Sequence, residues 1–206
     1  YALSTTPRSP ASDKVHQTMG NTQDCSICLD RIKDRKTLKC RHSFCSQCID
    51  SVFRLKPACP ICNTFHGLYT GTQPDGTMSV TRSFQSLPGY EHCGSIAIDY
   101  VFASGIQGPE HPNPGRQYRG TARTAYLPDC PEGQKVLKML KKAFDQRLVF
   151  TIGQSATTGL NNVITWNDIH HKTSMRGGPE CFGYPDPGYL SRVQEELRLK
   201  GITDED

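Results

Sequence analysis

Between residues 25 and 62 the chain reads C-x2-C-x11-C-x-H-x2-C-x2-C-x10-C-x2-C. Few folds are compatible with that spacing. The donors are Cys25, Cys28, Cys40, His42, Cys45, Cys48, Cys59 and Cys62. Eight donors make two tetrahedral sites of four, the number a closed structural zinc site takes. Thiolate-rich tetrahedral sites select zinc over hard cations. A segment of about forty residues buries too little apolar surface to fold alone, so two Zn2+ ions are expected to supply its folding energy. Seven of the ten cysteines fall in this stretch. That clustering points to metal rather than disulfides, and so to a reducing compartment, the cytoplasm or the nucleus.

The charge is informative only by location. Residues 24–66 carry eight Lys/Arg and four Asp/Glu, which accounts for the whole net charge of +4; the remainder is balanced. A basic zinc module could meet nucleic acid, but the excess is small and dispersed, and the neutral remainder argues against such a partner. No run of eighteen apolar residues is present to cross a membrane. The chain opens on Tyr1 without a secretory pattern, which fits a piece of a longer protein.

Residues 1–22 are rich in Ser, Thr and Pro and are expected to be a flexible linker. The metal module occupies 23–66. Residues 67–80 contain short extended pieces punctuated by Gly and Pro. "SIAIDYVF" (95–102) alternates as a strand with Ile96, Ile98, Tyr100 and Phe102 on one face. Further strands are expected at 121–129, 147–153 and 162–168. The clearest helix is 132–146, with Val136, Leu137, Leu140, Ala143 and Phe144 on one stripe. A second helix ends the chain within 185–201, between Pro187 and Gly201. Residues 67–206 therefore form one α+β domain.

The eight-donor pattern, with its His in fourth place, resembles the RING finger; a PHD finger would place the His fifth. The resemblance implies a cross-brace: Cys25, Cys28, Cys45 and Cys48 hold one zinc, and Cys40, His42, Cys59 and Cys62 hold the other. It implies a ubiquitin-conjugating enzyme and ubiquitin as partners, with the thioester positioned for attack and no covalent intermediate on the RING. Ile27 and Pro60 would form the docking surface. Ile49, Val52 and Phe53 on the following helix serve either that surface or the small core. Where many RING fingers carry an Arg after the last cysteine, this chain has Asn63. Activity would then use other ubiquitin contacts or pairing into a homo- or heterodimer.

Two adjacent histidines in "WNDIHHKTS" (166–174) complete the inventory. On extended chain they point to opposite faces. They are poorly placed to share a third metal with Cys93, Cys130 or Cys181. The words "EHPNPG", "TAYLPD", "KAFDQRLVFTIG", "VITWNDIHHKT" and "GYPDP", in this order after a RING, resemble the Deltex family of ubiquitin ligases. The resemblance implies a carboxyl domain that binds NAD+ or ADP-ribose, recruits ADP-ribosylated proteins, and in some members joins the ubiquitin carboxyl terminus to an ADP-ribose hydroxyl. By that resemblance His170 contacts the ligand and Glu196 is the general base on the hydroxyl. Phe182 stands where members with that chemistry carry His or Tyr; its ring stacks but cannot hydrogen-bond. Arg123 and the turn containing Gly153 and Ser155 offer a cation and backbone for the diphosphate. Trp166 is either core or an adenine platform. Arg192 and Lys200 flank Glu196 at helical spacing, so surface ion pairing is the competing role for that carboxylate.

Overall fold

The computed structural model describes residues 24–204, so the linker expected over 1–22 lies outside the described residues. In the metal module, β1 (Arg35–Thr37) pairs antiparallel with β2 (Ser43–Cys45), and α1 (Ser46–Leu55) follows at once. Two Cys-x-x-Cys turns close in the same way. The N–H of Leu29 donates to the Cys25 carbonyl, and that of Asn63 to the Cys59 carbonyl, each at 2.8 Å. Leu29 and Asn63 both sit at positive φ (62° and 56°). At the second turn the residue is Asn, which tolerates that conformation better than most side-chain-bearing residues. Phe44 and Ile49 are fully buried, which assigns Ile49 to the small core rather than to a docking surface.

The carboxyl domain is built on a three-stranded antiparallel sheet. Its order is β3 (Thr77–Ser83), β4 (Ser95–Phe102), then β7 (Thr121–Pro128), after the short β5 (Gly105–Ile106) and β6 (Gln117–Tyr118). Ile96, Ile98, Tyr100 and Phe102 of β4 are all buried, as the alternation requires. α2 (Pro131–Asp145) buries Val136, Leu137, Leu140 and Ala143, and Met139 with them. Its N-cap is Cys130, whose sulfur accepts from the Gly133 N–H. α3 (Tyr189–Arg198) buries Leu190, Val193 and Leu197 in the same core.

Two expectations change. β3 begins in the stretch read only as short extended pieces and runs three residues past it. It is an edge strand with nearly every residue exposed, so it carries no alternation. The strand expected at 147–153 is shortened to β8 (Phe150–Gly153), which pairs with β9 (Val163–Trp166). The reason is Gln73, nearly fully buried, whose side-chain oxygen takes the N–H groups of both Val149 and Phe150. A side chain from far upstream replaces the ladder there.

Candidate functional sites

The sulfurs and imidazole of the first module gather into two groups of four. Cys25, Cys28, Cys45 and Cys48 form one, and Cys40, His42, Cys59 and Cys62 the other, with the donor atoms of each group within 4.8 Å of one another. Cys28 Sγ and Cys45 Sγ are 3.9 Å apart. A tetrahedron of sulfurs about 2.3 Å from zinc has edges of about 3.8 Å, so the set fits the ion. The Lys33 N–H donates to Cys45 Sγ at 3.2 Å, an outer contact that orients the ligand. Burial, with Cys28 and Cys25 beside it, pushes the Cys48 thiol up to about 12. Four sulfurs this close carry their negative charge only with a cation among them. Ile27 is half-buried and Pro60 exposed; Leu29 and Ile61 beside them are exposed too.

In the carboxyl domain a groove of about 780 Å³ opens at the end of the core. Its origin is the period of β7. Ala125 and Leu127 are core residues, and Arg123 and Thr121 continue the same face past the core's edge. Arg119, Thr121 and Arg123 form one wall, the loop holding Ser155 another, and Trp166, His170 and Phe182 also line it. Arg123 donates to Thr121 Oγ1 (2.6 Å) and the Ala122 carbonyl (2.9 Å), which fixes its guanidinium. The loop is braced by Asn162, whose side-chain oxygen accepts from Gln107 and Asn113.

His170, Arg123, Ser155, Trp166 and Phe182 therefore meet in one groove; Gly153 and Glu196 do not line it. Gly153 is committed to the β8–β9 ladder opposite Val163. Glu196 stands behind His170. One carboxylate oxygen accepts from the His170 N–H (2.8 Å), the other from its ring Nδ1 (2.6 Å). A carboxylate only accepts, so a ring proton sits on Nδ1, and Nε2 is the ring nitrogen left for a ligand. The cations that could have claimed Glu196 are engaged elsewhere, Arg192 with Asp186 and Lys200 with Asp168.

His171 has the opposite fate. It is buried, its Nδ1–H donates to the Ile169 carbonyl, and its Nε2 accepts from the Tyr100 hydroxyl. Burial pushes its pKa down to about 4, so it is neutral. Phe150 and His171 stack on Trp166 at 4.4 and 4.3 Å. Both indole faces are thus occupied, and Trp166 is a groove wall resting on the core rather than an open adenine platform. Phe182 is exposed, in left-handed backbone. Arg119 and Thr121 were missed from the sequence; stepping back by twos from Arg123 would have found them.

A buried ion network anchors this corner. Lys172 and Asp186, both about 5% exposed as side chains, pair at 2.6 Å, and Arg192 closes on Asp186 at 2.7 Å. The Tyr189 hydroxyl donates to the His170 carbonyl. Asp186→Ala leaves Lys172 charged and unpaired. It is expected to cost about 3–5 kcal/mol in urea denaturation, most of which Lys172→Met restores in the double variant. Arg192 and Lys172 hold the Asp186 pKa down to about 2. Its stabilisation is complete above about pH 4, the range of a free carboxyl, and is lost as pH falls through about 2. Wild type and Asp186→Asn should therefore converge in stability toward pH 2.

Two families of known proteins match the chain. Residues 24–62 match the zinc finger, C3HC4 type (RING finger), and residues 70–202 match the Deltex C-terminal domain. The chain is 63% identical over 184 residues to the "Probable E3 ubiquitin-protein ligase DTX3" of Homo sapiens, covering 88% of this chain and 53% of that one. It is 39% identical over 206 residues to the "E3 ubiquitin-protein ligase DTX4" of Mus musculus, covering 89% and 33%. With the "E3 ubiquitin-protein ligase DTX1" of Homo sapiens it shares 38% over 207 residues, 88% of this chain and 33% of that one. The chain thus spans about half the length of the first relatives and a third of the others. A cross-brace RING finger followed by a Deltex C-terminal domain makes this chain a member of the Deltex family.

Proposed function

We propose that this chain is the ligase portion of an E3 ubiquitin ligase. Its RING docks a ubiquitin-charged conjugating enzyme through Ile27 and Pro60 and directs ubiquitin to substrate lysines. Its carboxyl domain takes NAD+ or ADP-ribose in the groove, recruits ADP-ribosylated proteins, and presents a ribose hydroxyl to the thioester. The place of action is the cytoplasm or nucleus. The observation that carries the second half is the His170–Glu196 pair at a groove walled by two arginines. The volume suits a small-molecule ligand, and Arg119 and Arg123 suit a diphosphate. His170 Nε2 accepts the proton of the ribose hydroxyl while Glu196 holds the ring and stabilises the imidazolium that forms. The hydroxyl oxygen then attacks the thioester carbonyl, and the thiolate of the conjugating enzyme leaves.

A second reading rests on Phe182, which places no hydrogen-bonding group in the groove: the domain binds ADP-ribosylated proteins without catalysis. Intact-mass analysis of ubiquitin decides. The chain is incubated with activating enzyme, conjugating enzyme, ubiquitin, ATP and ADP-ribose. A ubiquitin–ADP-ribose adduct supports the first reading. Lysine-linked chains without the adduct support the second, and Phe182→His should then create the adduct. In calorimetric titration with ADP-ribose, Arg123→Ala should weaken binding about tenfold or more, the loss of one charge-assisted hydrogen bond. Unchanged affinity would remove Arg123 from the site.

A further inference from the structure

We propose that Cys93 and Cys130, which lie outside the groove and the zinc sites, form a thiol pair that hydrogen peroxide closes to a disulfide. The backbone argues for it. β4 and β7 pair with Ser95 opposite Pro128. The register continues one step beyond both strands, where the Asp129 N–H donates to the Gly94 carbonyl at 2.8 Å. One step further, the residue opposite Cys93 is Cys130. Because Gly94 and Asp129 are the hydrogen-bonded pair, the two cysteines occupy a non-hydrogen-bonded one, where facing Cα atoms lie about 4.5 Å apart. That separation falls within the span a disulfide bridges.

Neither sulfur has a strong competing partner. Cys93 Sγ meets the Tyr90 carbonyl at 3.6 Å, and Cys130 Sγ accepts from the Gly133 N–H at 3.5 Å. Burial, with Cys130 and Asp129 beside it, pushes the Cys93 thiol up, so Cys93 reacts slowly with peroxide. Cys93 is the more accessible of the two. Its sulfur takes one oxygen from peroxide to give a sulfenic acid and water. The Cys130 thiol then displaces the hydroxyl from that sulfur, forming the S–S bond and releasing a second water. Two thiols lose two electrons and two protons, and one peroxide becomes two waters. The bond would tie the first turn of α2 to the entry of β4.

The test is peptide mapping of the full zinc-loaded chain after peroxide and alkylation. The expected product is a cross-linked pair of tryptic peptides, 83–116 with 124–135, released by dithiothreitol. Thermal melting of the carboxyl domain should rise by roughly 10 °C, reversibly, from closure of a long loop. Both signals should be absent in Cys93→Ser and in Cys130→Ala, so one variant that folds is enough. Separate alkylation of the two cysteines after peroxide, or their capture by other thiols, would overturn the proposal.

Discussion

Stripping zinc from this chain is expected to unfold residues 24–66 and reduce ubiquitin transfer to background, while the melting of the carboxyl domain survives. The apolar core of the metal module is Phe44, Ile49, Leu38 and Ala58, with three of the ligands, Cys25, Cys45 and Cys59, buried among them. That is too little to hold a fold. Structural zinc contributes roughly 10–16 kcal/mol per site in comparable peptides, more than a domain of this size has in total. Cys45→Ser in the first group or His42→Ala in the second should act as chelation does, with loss of one equivalent of zinc by atomic absorption. The carboxyl domain has its own core across β4, β7, α2 and α3. It should lose only what Phe65 contributes by resting on Gly201, which has positive φ and no space for a side chain. A single transition in which both parts melt together with zinc release would contradict this independence.

What the sequence revealed depended on how local each constraint was. The zinc donors were legible because spacing alone decides them, and each Cys-x-x-Cys turn closes on its own backbone. β4 and α2 were legible because one face of each is buried, which imposes a period of two or of 3.6. β3 was not, since an exposed edge strand has no buried face to imprint alternation. The shortened β8 was not, because a single buried Gln73 from a distant loop takes the N–H groups that a strand would use. Cys130 as the cap of α2 was missed for a related reason: capping expectations look for Ser, Thr, Asp or Asn. In the groove, the opposite fates of His170 and His171 followed from extended backbone. The competition for Glu196 could not be resolved from helical spacing, which offered Arg192 and Lys200 equally. It took Asp186 and Asp168, placed by tertiary structure, to draw both cations away.

Glu196→Gln is expected to lower formation of the ubiquitin–ADP-ribose adduct by about 10²–10⁴-fold, the range a general-base system contributes. ADP-ribose affinity should stay within about threefold of wild type. The geometry sets both halves of that expectation. Glu196 does not line the groove, so its loss removes little contact with the ligand. Both its oxygens are spent on His170, one on the backbone N–H and one on Nδ1. A glutamine can still accept from one of these donors, but its amide nitrogen then faces the other. The ring loses its fixed tautomer, and the imidazolium formed on taking the hydroxyl proton loses its counter-charge. His170→Ala should abolish the adduct as well, and should weaken binding too, since that side chain is in the groove. Lysine-directed chain formation, which the proposed function assigns to the RING, should be unchanged in both variants. A Glu196→Gln chain that kept full adduct activity would remove the pair from the chemistry and leave His170 as a binding contact only.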